Sequence, residues 1–89
     1  MRITVIRTGG FGGVTRRATL DTGDLPDSGE VAALADQAVA EGHRDERPVG
    51  VPDGFHYEIE ADGATAYCAD PRLTDAQRTL ISRVLKEGA

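Results

Sequence analysis

The chain has 89 residues, 15 acidic and 10 basic, with a formal charge of −5. A chain of this length is expected to form a single domain, residues 1–89, burying roughly 60–65% of the surface its unfolded form exposes, which leaves little room for an interior catalytic cavity. The acidic balance and the scattered arginines argue against a nucleic-acid partner or an anionic membrane surface, both of which need a basic footprint.

Residues 2–7, Arg-Ile-Thr-Val-Ile-Arg, alternate and are β-branched, which predicts a strand with Ile3 and Val5 on one face. The same apolar run is too short and too polar for a signal peptide or a membrane span, so a cytoplasmic protein is the expectation. After a glycine-rich stretch, Val14 to Leu20 predicts a second strand in which Val14, Arg16, Ala18 and Leu20 share a face. The two strands would form a hairpin with a long connection. Gly23 and Pro26 mark a turn. A helix follows, with Asp27 or Ser28 as N-cap and Glu30 in its first turn. Val31, Leu34, Ala35, Ala38 and Val39 form its apolar stripe, and Gly42 is its expected stop.

His43 to Gly54 is a polar segment punctuated by proline. Residues 55–60 and 64–69 then read as a hairpin around Asp62-Gly63, the pair suited to the two positive-φ positions of a type I′ turn. That register pairs Ile59 with Ala66 and Tyr57 with Cys68, and places Phe55, Tyr57, Ile59, Ala66 and Cys68 on one buried face. Thr74-Asp75-Ala76-Gln77 is a capping box opening a second helix. Its stripe is Ala76, Leu80, Ile81, Val84 and Leu85, and Gly88 ends it. The order predicts an α+β fold: a four-stranded antiparallel sheet in ββαββα order, with the helices packed on one face.

The groups that chemistry needs are sparse. Cys68 is the only cysteine, so no intramolecular disulfide is possible. His43, His56 and Cys68 match no zinc-ligand spacing, and the predicted register turns Cys68 inward while His56 points out. Ser28 and Ser82 fall at a helix cap and on a helix, away from any nucleophile elbow. Glu58 and Glu60 share a strand face, the usual mark of a solvated surface. No catalytic residue, metal or cofactor is therefore expected. The glycines of residues 8–14 lack the Gly-Lys-Ser/Thr ending of a phosphate loop and join two strands instead of opening a helix.

One feature remains. In Thr8-Gly9-Gly10-Phe11-Gly12-Gly13 the first aromatic residue of the chain stands between two glycine pairs. Either Phe11 folds back onto the sheet as a plug, or it is presented to a partner. Glycines on both sides favour presentation, because they remove side chains that would keep another backbone away.

Here the sequence resembles the emfourin family of protein inhibitors of metallopeptidases. Its members begin with a short strand, run into an Arg-Ser-Gly-Gly-Phe-Ala-Gly-like loop, and continue into a strand carrying one or two arginines. The corresponding stretch is Ile3 to Arg17, with Thr8 in place of Ser and Gly12 in place of Ala. The likeness extends more loosely over the middle helix, the Pro52–Ile59 strand and the Leu73–Leu85 segment.

The resemblance implies a partner: a protealysin-like or thermolysin-like zinc metallopeptidase, whose S1′ pocket would take Phe11. The zinc would be the peptidase's own. Partner-binding residues would be Thr8, Gly9, Gly10, Phe11, Gly12, Gly13 and Arg16. The His43–Gly54 segment would add a rim if it shares an end of the sheet with the glycines. Arg7, Arg16 and Arg17 are placed to hydrogen-bond the carbonyls of the loop and stiffen it. The free protein is expected to be a monomer. Two other readings do without the family likeness: a small adaptor or interaction module that uses the same surface, and a small hydrolase or metal-binding enzyme, for which His56 would be the residue to test.

Overall fold

The computed structural model describes residues 1–9, 14–44 and 54–89. Its elements follow the predicted order: β1 (Arg2–Gly9), β2 (Arg16–Asp21), a 3-10 turn (Thr22–Asp24), α1 (Ser28–Ala40), β3 (Phe55–Ala61), β4 (Ala64–Ala69) and α2 (Asp75–Glu87). The four strands make one antiparallel sheet in the order β2-β1-β3-β4, so β1 and β3 are central.

Alternation along the strands sets the two faces. Ile3, Val5, Ala18, Leu20, Tyr57, Ile59, Ala66 and Cys68 point toward the helices and are buried. Val31, Ala35, Ala38 and Val39 of α1 join them, with Ala76, Leu80, Ile81, Val84 and Leu85 of α2. Ile3, Val5, Ile59, Leu80 and Val84 are fully shielded from water, and each such side chain contributes about 1.5–3 kcal/mol relative to exposure. Each helix packs over the half of the sheet it does not follow: α1 over β3 and β4, α2 over β1 and β2. The helices also pack on each other. Phe55 and Leu34, both expected in the core, lie half-buried at its margin.

The second hairpin has the predicted register, Tyr57 with Cys68 and Ile59 with Ala66. Its turn residues Asp62 and Gly63 have φ of 48° and 79°, as a type I′ turn requires. The first hairpin differs from expectation at both strands. β1 runs to Gly9 and not Arg7, because it continues to pair with β3 after its last pair with β2, Arg7 with Arg16. β2 starts at Arg16, so Val14 lies beyond the last rung and is 71% exposed instead of sharing the buried face.

The capping box of α2 is formed in both directions: Thr74 Oγ1 accepts from Gln77 N at 3.1 Å, and Gln77 Oε1 accepts from Thr74 N at 3.0 Å. The start of α1 differs. Asp27 occupies the N-cap but its side chain makes no capping bond. Its carboxylate instead meets the Arg83 guanidinium through two hydrogen bonds of 2.6 and 2.9 Å.

Both sheet edges are closed in mid-strand. Beyond α1, His43 bridges Tyr67 of β4 by reciprocal backbone bonds of 2.9 and 2.7 Å. Beyond α2, Ala89 does the same to Thr19 of β2, at 3.0 and 3.1 Å. The glycine before each bridge permits the approach. A Cβ on Gly42 would lie 2.7 Å from Ala66 Cβ, and one on Gly88 would lie 2.8 Å from the Thr19 carbonyl oxygen. Gly42 thus ends α1 through close contact with β4 and not through a left-handed cap.

Candidate partner-binding site

The site is rooted where β1 runs out. Thr8 pairs with His56 and Gly9 with Phe55, the first residue of β3. Gly9 has φ +90°, a region L side chains rarely enter, and a Cβ there would stand 3.0 Å from the Gly54 carbonyl oxygen. The chain therefore leaves β1 directly beside the point where it enters β3. Gly9, which precedes residues 10–13, and Gly54, which follows residues 45–53, stand at the same end of the sheet. Gly10, Phe11, Gly12 and Gly13 lie outside the described residues, as do residues 45–53 of the expected rim.

Around this root the side chains divide between the two sheet faces. Thr8 and His56 stand on the face away from the helices, both half-buried, and Arg17 is exposed on that face. On the helix side Arg7 and Arg16 sit directly opposite each other, an arrangement that like charge disfavours. They are drawn to different partners. The Arg16 guanidinium donates to the Leu85 carbonyl in the last turn of α2, where the helix dipole also favours a cation. Arg7 lies over the Phe55 ring, its guanidinium carbon 4.4 Å from the centroid. The Arg16 bond among the described residues runs to α2, and the expected bonds to carbonyls of Gly10–Gly13 fall on residues outside those described.

Phe55 continues the cluster. Its ring centroid is 6.2 Å from that of Tyr57, the planes inclined at 53°, within the range of favourable tilted aromatic pairs. Its carbonyl accepts from Asp70 N at 3.0 Å. Burial, followed by the nearby Asp70 carboxylate, pushes the Tyr57 hydroxyl above its ordinary range, with Arg7 opposing. Sequence reasoning placed Phe55 and Tyr57 in the core and did not connect them with the glycines. The link needs the β1–β3 pairing, which joins residues far apart in the chain.

The chemistry available here is that of contact. Cys68 is buried on the helix side, and burial with the Asp70 charge pushes its thiol up to about 12, so at neutral pH it stays protonated. His56 is on the opposite face. Among the described residues no group of three or more His, Cys, Asp or Glu side chains could hold a metal ion.

The family model described as Emfourin matches residues 5–85, most of the chain and all of the site. The chain belongs to the emfourin family. No curated protein and no solved structure matches it. Emfourin membership implies the role of a protein inhibitor with a protease as its partner. The sheet and helices described above are this emfourin-family chain's own, and no helix among its described residues is long and apolar enough to cross a membrane.

Proposed function

We propose that the protein blocks the active-site cleft of a thermolysin-like or protealysin-like zinc metallopeptidase, entering it with Phe11 and its flanking glycines. The observation that carries this reading is the family match, which spans the Gly9–Gly13 motif together with the strands that root it. The geometry of the root supports it. Gly9 ends a central strand with a backbone turn and a close approach that only glycine fits, and it does so beside the entry to β3. A cleft-blocking surface can thus be assembled from one end of the sheet. Phe11 fits a pocket selective for bulky apolar side chains, and glycine neighbours keep the segment slim enough to follow it. Thr8 and Arg16 border the inserted segment. An interface of standard size covers about 800 Å² per partner, a sizeable part of the 5330 Å² that this molecule exposes.

The test is titration of protealysin-like and thermolysin-like enzymes with wild-type protein and Phe11→Ala. Wild type is expected to inhibit reversibly. Phe11→Ala should raise the inhibition constant about 30- to 1000-fold, the range of a buried aromatic hot spot of about 2–4 kcal/mol, and leave Tm nearly unchanged. Absence of inhibition by wild type at micromolar concentration across several such enzymes would reject the reading. A large fall in Tm for Phe11→Ala would show that the ring is a plug of its own sheet.

A further inference from the structure

On the helix side of the sheet one rung runs Arg16, Arg7, Tyr57, Cys68 across all four strands. It holds two guanidinium groups on facing residues and no carboxylate. Like charges directly opposite each other destabilise a sheet, and the two are compensated unequally. Arg16 donates to the Leu85 carbonyl, near the negative end of the α2 dipole. Arg7 is half-buried and forms no ion pair or hydrogen bond among the described residues. Its Nε is buried without an acceptor, which is costly. The Phe55 ring covers one face of its guanidinium, 4.4 Å from the carbon. Carboxylates are not scarce in a chain with 15 acidic and 10 basic residues. Arg83 meets two of them, Asp27 and Glu87. Asp70, whose charge acts on Tyr57 as that of Arg7 does, forms no ion pair with Arg7. A residue set against its neighbours in this way points to a role other than stability.

We infer that Arg7 is a receptor for a carboxylate, an Asp or Glu side chain that the peptidase presents beside its cleft. This rests on the inhibitor reading and deepens it. Arg7 lies two residues before Gly9, at the root of the site. Stacking uses the flat face of the guanidinium and leaves its edge. With Nε buried, the donors at that edge are the two terminal nitrogens, whose parallel N–H groups match the two oxygens of a carboxylate. A guanidinium already laid on a ring has little freedom left to lose when the carboxylate arrives. Arg16 opposite adds to the positive field there, a local complement to an acidic rim on a protein whose formal charge is −5.

The experiment measures Tm, and the inhibition constant at several NaCl concentrations, for wild type, Arg7→Met and Arg7→Lys. Methionine keeps an unbranched apolar side chain beside Phe55 and removes the charge. Arg7→Met should raise the inhibition constant about 10- to 150-fold, the range for hydrogen bonds to a charged group, with Tm equal to or above that of wild type. The wild-type constant should rise with salt more steeply than that of Arg7→Met. Arg7→Lys should keep the steep salt dependence and give an intermediate constant, because lysine carries the charge without the fork. An unchanged constant for Arg7→Met overturns the inference. So does weaker inhibition with the wild-type salt dependence, which would make the contact a neutral one. A lower Tm for Arg7→Met assigns the residue to the fold and overturns it too. If wild type inhibits no such peptidase, the inhibitor reading falls and takes the receptor with it, whereas inhibition that Arg7→Met fully retains sinks the receptor alone.

Discussion

Gln77 does three things at once. Its backbone N–H and side-chain oxygen complete the capping box with Thr74, and its Nε2 donates to the Ala38 carbonyl of α1 at 3.2 Å. It is 1% exposed, so its polar atoms need these partners. The capping box was legible in four consecutive letters because it is a local device. The reach to α1 was not, since a glutamine at this position normally faces water and only the docking of the two helices buries it. Cys68 shows a similar division. Alternation placed it inward, but the height of its pKa depends on Asp70 as well as on burial. With so little thiolate, native protein at pH 8 should resist a disulfide exchange reagent for hours, whereas one equivalent should react promptly in denaturant. Rapid labelling of the folded protein would show that the site opens readily.

Among elements, the helices illustrate how the same residue type has opposite consequences. Gly29 lies in the first turn of α1 with open space around the position of a Cβ, whereas a Cβ on Gly42, just past the end of α1, would lie 2.7 Å from Ala66 Cβ. Gly29→Ala should stabilise the protein by about 0.5–1 kcal/mol through a less flexible unfolded chain. Gly42→Ala should destabilise it by about 1–3 kcal/mol, because α1 would have to be pushed off β4. Urea titrations of the two variants check both signs. Helix positions and the Asp62-Gly63 hairpin were readable because periodicity and turn chemistry act over a few residues. The limits of β1 and β2 were not. Val14 looks like a strand residue, yet a strand ends where its partner ends, and β1 finds its further partner in β3. The glycine–phenylalanine motif was equally visible in the sequence, while its neighbourhood, with Arg7 over Phe55 and Arg16 on α2, depends on the same pairing.

For the molecule as a whole, one ion pair ties the beginning of α1 to the last turns of α2. Arg83 binds Asp27 and also meets Glu87 of its own helix at 2.7 Å. The hydrogen bonds from Arg83 hold the Asp27 carboxyl below its ordinary 3.8, against an opposing desolvation. A carboxyl whose folded pKa is lowered stabilises the fold fully above its unfolded pKa and loses that contribution as pH falls through the folded value. Asp27→Asn should therefore have a lower Tm than wild type at pH 7, and the difference should shrink as pH falls from about 5 to 2. Thermal melts across that range measure it, and a gap that widened toward low pH would contradict the pairing. Because the groups are partly solvated, added salt should reduce the same difference.

The bridges formed by His43 and Ala89 have a consequence for how this molecule meets others. The central rung on each flank of the sheet is already taken by the protein's own backbone, so an incoming extended chain finds no continuous ladder to lengthen. A second copy that paired edge to edge with either flank would first have to displace one of these bridges. A visitor is left with the tips of the strands, and one of those tips carries the glycines.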